Sequence, residues 1–185
     1  MAQRIIMGID PGTNITGYGI IVGQGKKMAV VAAGIITLGK SSMNHPEKLK
    51  KIYDRVSSLI TEFRPRELAL EAPFYGKNVQ SMLKLGRAQG VAMAAGLSQG
   101  LPVFEYAPKK VKMAVTGRGS ASKEQVAGML KQMLDFQVHD LPLDATDGLA
   151  VAVCHFFQAN NGQGRSQHKD WGAFLKANPN KIKKR

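Results

Sequence analysis

The sequence predicts one α/β domain, a five-stranded mixed sheet flanked by helices. Three observations predict it. The chain opens with three β-rich runs separated only by turn residues, and segments of helical period then alternate with short apolar runs. In addition, 185 residues with 44% hydrophobic content suffice for one core and, at roughly 100–200 residues per domain, hardly for two.

Taken in order, Arg4 to Asp10, Ile15 to Val22 and Met28 to Leu38 are the β-rich runs, parted by "PGTN" and "GQGKK". Both separators carry turn chemistry, so an antiparallel meander is expected. From Pro46 to Phe63, Leu49, Ile52, Tyr53, Val56, Leu59, Ile60 and Phe63 recur at helical spacing with Lys48, Lys50, Lys51 and Arg55 largely between them, which predicts an amphipathic helix. "RPRE" stops it, "LALE" reads as a short buried strand ending at Glu71, and "APFYGKN" turns the chain away. A second helix spans Val79 to Ser98, where Gly86, Gly90 and several alanines permit close approach of another helix. "LPVFEYA" supplies the fifth strand. Pro108 opens a short helix, "TGRGSAS" is a loop, Ser122 caps a helix running to Leu134, and the last helix follows Pro142. Beyond Asn160 the composition shifts to Gly, Gln, Asn and Lys, with seven basic residues and one acid, Asp170. Residues 160–185 are therefore expected to form a basic, disordered tail.

If the helix after the third strand makes the usual right-handed crossover, the Glu71 strand lies parallel beside the Asp10 strand. Both carboxylates then leave the edge at which open α/β sheets build their sites.

Charge says what such a site would meet. With 26 Lys+Arg against 13 Asp+Glu the formal net charge is +13, a field suited to a polyanion. No apolar stretch approaches the roughly 18 residues of a membrane span, and the N-terminal residues lack the apolar core and cleavage site of a leader. Cys154 is the single cysteine, so no intrachain disulfide can form, and a cytoplasmic location is expected.

Each candidate acid has an ordinary structural explanation when taken alone. Asp10 precedes Pro-Gly, Glu71 precedes Ala-Pro, and Asp144 and Asp147 fall in a first helical turn, where acids complement the helix dipole. Taken together the explanation weakens. Asp144 and Asp147 are three apart and so share a helical face, where like charges repel unless something positive lies between them. A helix laid across the strand ends would bring four hard oxygen donors together, suited to Mg²⁺ or Mn²⁺, whereas zinc would call for His or Cys. His139 and His155 are given no metal role. Two such ions about 3.5–4 Å apart serve phosphodiester hydrolysis, which makes the basic surface intelligible as the polyanion's holding surface.

The stretches "GIDPGTNITGYG", "LALEAPFYGKN", "LKLGRAQGVA", "PVFEYAPKKVK" and "LDATDGLAVAVCH" together resemble the RuvC family of crossover (Holliday) junction endodeoxyribonucleases, over roughly Ile5 to His155 in matching order. The resemblance implies a ribonuclease H-like nuclease domain over residues 1–159. It implies a homodimer, working beside a RuvA-RuvB branch-migration complex, that nicks two opposed strands of a four-way DNA junction in recombination and repair. It assigns metal-dependent catalysis to Asp10, Glu71, Asp144 and Asp147, with two Mg²⁺ per site and Mn²⁺ able to substitute. Phe74 matches an aromatic placed against junction bases, although a lid on the core accounts equally well for an aromatic there. Lys112 and Lys123 match basic positions near DNA, and Lys109, Lys110 and Arg118 thicken the same patch. The resemblance places the dimer contact on the second helix.

Three other readings compete. "IDPGTNITGYG" is similar to the phosphate loop of actin-like sugar kinases, but those have two lobes and a second such loop. An RNA-processing nuclease of similar fold shares the first motif. A basic architectural protein binding branched DNA explains the charge and leaves four acids at one sheet edge unexplained.

Overall fold

The computed structural model describes residues 3–39, 43–73, 78–134 and 141–162. Three strands open it: β1 (Arg4–Asp10), β2 (Ile15–Gln24) and β3 (Lys27–Thr37). They form the expected meander, β1 and β3 both antiparallel to β2. The turn between β1 and β2 needs Gly12, where a Cβ would fall 1.8 Å from the Ile15 carbonyl oxygen, and the Thr16 hydroxyl closes it by accepting from Gly12 N–H at 3.2 Å.

Helix α1 (His45–Phe63) begins one residue before the predicted start. Asn44 caps it in a reciprocal box: its Oδ1 accepts from Glu47 N–H, and the Glu47 carboxylate accepts from Asn44 N–H, each at 2.9 Å. Arg64, in the left-handed region at φ 48° and followed by Pro65, ends it. Strand β4 (Glu67–Glu71), helix α2 (Val79–Ser98) and strand β5 (Val103–Tyr106) follow. The chain ends in α3 (Pro108–Thr116), α4 (Lys123–Leu134) and α5 (Leu143–Gly162). Ser122 and Gln125 cap α4 reciprocally, as the sequence predicts. Helix α5 continues to Gly162, past the point where composition changes. Phe74, His139 and the remainder of the tail lie outside the described residues. No helix among the described residues is long and apolar enough to cross a membrane.

The sheet order is β3-β2-β1-β4-β5, with β4 parallel to both β1 and β5, so the predicted crossover is present. Strand alternation sends Met7, Ile9, Ile20, Leu68 and Leu70 to one face, where α1 and α2 pack through Ile52, Val56, Leu59, Ala88 and Ala92. The alternate positions Ile6, Ile21 and Ala69 meet α3, α4 and α5 on the other.

One buried polar network lies on the α5 side. His155 Nε2 is 3.0 Å from Glu67 Oε2, and its Nδ1 is 2.7 Å from the Tyr106 hydroxyl. A carboxylate only accepts, so Nε2 carries the proton and Nδ1 accepts from Tyr106. Arg4 closes the network on Glu67 at 2.5 Å. His155 is thus a satisfied core histidine, its pKa lowered by burial.

Candidate active site

The strand period places the first two acids. On β1, Ile6 faces α5, hence so do Gly8 and Asp10; on β4, Ala69 faces α5, hence so does Glu71. Register does the rest, since Ile9 pairs with Leu70 and the next residue along each parallel strand is one of the two carboxylates.

Glycines bring the other two acids to them. A Cβ on Gly17 would lie 1.8 Å from the Asp144 carbonyl oxygen, one on Gly19 2.5 Å from Leu149 Cα, and one on Gly8 2.3 Å from the Gly148 carbonyl oxygen. From the helix side, a Cβ on Gly148 would lie 2.5 Å from Tyr18 Cα. The first turns of α5 therefore rest on bare strand backbone. The sequence analysis assigned Gly8, Gly17, Gly19 and Gly148 no such role; the period-two spacing of Gly17, Gly19 and Gly23 is the signal for it.

The result is a cavity of about 100 Å³ lined by Asp10, Glu71 and Asp147 together with Lys112, Lys123 and the apolar Val111, Val126 and Ala150. Lys123 Nζ lies 2.5 Å from Asp147 Oδ2 and 3.6 Å from Asp144 Oδ1. Asp144 stands at the rim, its side chain 41% exposed against 15% for Asp147, and it is not part of the lining. Lys112 and Lys123, expected on a DNA-binding patch, sit inside the acid cluster. Lys109 and Arg118 are exposed outside it, and the Lys110 ammonium lies 5.1 Å from the centroid of the Tyr106 ring.

Burial dominates the electrostatics. It raises the Asp10 pKa to about 7, assisted by the charges of Asp147 and Asp144 and opposed by Lys123. Glu71 is raised to about 8 by burial and then by Asp10 and Asp147, against Lys123 and Lys112. Burial also raises Asp147, opposed by its hydrogen bond from Lys123. Burial works against the charge of Lys123 itself, but the hydrogen bond to Asp147 and the surrounding carboxylates outweigh it and hold its pKa above the ordinary value. Two lysines thus offset the acids only in part.

A divalent cation fits this site. The donors are hard carboxylate oxygens in one cavity, and a cation there would favour the charged forms that burial disfavours. Among the described residues no three His, Cys, Asp or Glu side chains form a ready-made metal cage. A cation of the Mg²⁺ kind is commonly held by one or two carboxylates, with waters and substrate phosphate oxygens completing its shell.

The raised pKa values predict a pH-dependent stability. Between about pH 4.5 and 8 the native Asp10 and Glu71 keep protons that the unfolded chain has released, so stability falls as pH rises through that window. Each pKa unit is worth about 1.4 kcal/mol, so the pair destabilises the metal-free fold progressively up to about pH 8.5. In EDTA, Tm should drop between pH 5 and 8.5, and Mg²⁺ should recover it at pH 8.5. The Asp10→Asn/Glu71→Gln variant should show a flatter profile and no recovery; an unchanged profile would remove these groups as the cause.

Comparison with known proteins decides the family. The model of crossover junction endodeoxyribonuclease RuvC matches residues 6–155. The chain belongs to the RuvC family. Its relatives include the crossover junction endodeoxyribonucleases RuvC of Cytophaga hutchinsonii, 56% identical over 98% of this chain and 89% of that protein, and of Bacteroides fragilis, 55% identical over 98% and 97%. Thermus thermophilus RuvC, solved in complex with Holliday junction substrate, superposes with a TM-score of 0.80 at 31% identity, over 86% of this chain and 96% of that one. The ribonuclease H-like fold read from the motifs is borne out, as is membership of a nuclease family. A divalent metal requirement comes with RuvC membership.

Proposed function

We propose that the protein resolves four-way (Holliday) DNA junctions by paired, metal-dependent nicks, in homologous recombination and DNA repair. One observation carries the reading: Asp10 and Glu71 end adjacent parallel strands and share a cavity with Asp147 from α5 and two lysines.

In this reading Asp10, Glu71, Asp147 and the rim Asp144 hold two Mg²⁺, for which Mn²⁺ can substitute. Such ions, when bound, supply an activated water and stabilise the charge on the leaving oxygen. The chain's own groups do the remainder. Asp10 and Glu71 give up their protons on loading, since a nearby cation favours their charged forms. Lys123 holds Asp147 in place and, with Lys112, offers positive charge to the scissile phosphate. Lys109, Lys110 and Arg118 extend the contact along the DNA backbone. Phe74, outside the described residues, is assigned to the junction bases by the resemblance alone, as is coupling to RuvA-RuvB.

Separating a four-way junction takes two nicks, and the described residues of one chain build one acid cavity. A homodimer supplies the second, and α2 supports it. Val79, Leu83 and Leu97 are 65%, 58% and 58% exposed. With Gly86, Gly90 and Met93 they form a stripe at alternating spacings of four and three. A Cβ on Gly86 or Gly90 would meet nothing within 4 Å, so packing within the chain does not require these glycines, whereas a second helix laid on the stripe would.

The test is incubation with Mg²⁺ and end-labelled four-way junction, duplex and structured RNA, with mass measured by light scattering. A dimer that nicks opposed junction strands at symmetry-related positions, leaving ends that ligase seals, is the expected result. Equal cutting of duplex and junction by a monomer would sink the resolvase reading, and preference for RNA would favour the RNA-processing alternative.

A further inference from the structure

A second cavity lies apart from the acid site. It measures about 350 Å³ and lies where the first turns of α1 and α2 meet the β1–β2 turn, lined by Thr13, Asn14, His45, Lys48, Ser81 and Lys84 among others. Among the described residues no carboxylate lines it, and Glu47 of the first turn of α1 is engaged by the Asn44 N–H. Lys48 Nζ reaches the Asn14 side-chain oxygen at 3.3 Å and the Thr13 carbonyl at 3.5 Å. Lys84 is exposed, and among the described residues its ammonium has no partner. His45 Nε2 is shut off from solvent and has none either. The lining thus combines two ammonium groups, an unsatisfied ring nitrogen and several neutral hydrogen-bonding groups, a composition that suits a phosphate oxyanion.

Its position sharpens the assignment. Thr13 is three residues beyond Asp10, so the two Cα atoms are at most about 11 Å apart, the rise of about three stacked nucleotides of one strand. Lys112 and Lys123 approach the acids from the α3–α4 face of the sheet, while this cavity opens from the α1–α2 face. The acid site is therefore flanked by positive charge on both sides.

We propose that this cavity binds a backbone phosphate of the DNA substrate, a few nucleotides from the scissile one, through Lys48 and Lys84. The inference rests on the nuclease reading above. The occupant is a phosphodiester of the bound strand, and free inorganic phosphate is the other source of the same chemistry.

Lys84→Ala and Lys84→Glu test it, because Lys84 holds no other group in place. Binding of a labelled four-way junction is followed by anisotropy in EDTA at several salt concentrations, with Lys26→Ala, on the β2–β3 turn, as control. The expected result is severalfold weaker binding for Lys84→Ala and more for Lys84→Glu, with the slope of log K against log salt reduced by about 0.9. Lys26→Ala should keep the wild-type slope. An unchanged slope and affinity in both Lys84 variants, with the wild type still cutting junctions, would overturn the phosphate assignment and leave the nuclease reading standing. A wild type that neither binds nor cuts junctions would instead remove the nuclease reading. If inorganic phosphate raises the Tm of the wild type but not of Lys84→Glu, while junction binding is the same in both, the cavity serves the free ion and the DNA assignment fails.

Discussion

Asp10→Asn, Glu71→Gln and Asp147→Asn should each lower junction cleavage by at least ~10³-fold while leaving junction binding within a few-fold of wild type. All three line one cavity, and each substitution replaces a charged oxygen donor by an amide of nearly the same shape, so the cation loses a ligand and the fold loses little. In the proposed reading binding rests on lysines that all three variants keep, and removing a negative charge from the path of a polyanion should if anything tighten it. Asp144→Asn should cost less, about 10–100-fold, because Asp144 stands at the rim and reaches the cluster through Lys123 at 3.6 Å. Single-turnover cleavage in Mg²⁺ and anisotropy in EDTA measure the two quantities separately. Near-normal cleavage by any one variant would remove that residue from the site, and an equal loss of binding would mean that the acids act through the fold.

Gly148→Ala should be among the most damaging changes that add a single methyl group. That methyl would fall 2.5 Å from Tyr18 Cα and C and 2.7 Å from its N, and strand backbone cannot turn aside as a side chain can. Overpacking of this kind costs about 1–3 kcal/mol and sometimes more, so a fall of several degrees in Tm is expected. Cleavage should fall further than stability alone explains, because the helix that must move carries Asp144 and Asp147. Gly86→Ala and Gly90→Ala are the contrast. Their methyl groups meet open space within the chain, and each should raise helix stability by roughly 0.5–1 kcal/mol in the monomer while weakening any dimer built on that stripe. Denaturant unfolding with parallel cleavage assays separates these outcomes; a Gly148→Ala protein as stable and as active as wild type would refute the close-approach account.

The sequence disclosed the fold where a single periodicity settled the matter. Ile52, Val56, Leu59 and Ile60 recur at helical spacing and are buried, and Asp10 and Glu71 end strands because an apolar run stops at each. It disclosed less where the answer depended on two segments at once. The lysines between Lys109 and Lys123 read as one patch, yet a helix turn and a loop send Lys112 and Lys123 into the acid cavity and leave Lys109, Lys110 and Arg118 outside it. Four acids near one edge read as one constellation; which of them line a common cavity came only with the packing of α5. The cavity beside Lys48 and Lys84 was not legible at all, because its lining comes from three stretches far apart in the chain, each with an ordinary local explanation as turn or helix start.

The glycine-paved strand face bears on how the protein is made. Asp10 leaves the ribosome before Asp147, so no nascent chain has a complete acid cavity until α5 has emerged. During that interval the face awaiting α5 is bare. Because Gly8, Gly17, Gly19 and Gly23 occupy much of it, it offers neighbouring nascent chains far less apolar side chain than the opposite face, which α1 and α2 cover sooner. The same residues that admit the last helix closely keep its berth from becoming adhesive while it is empty.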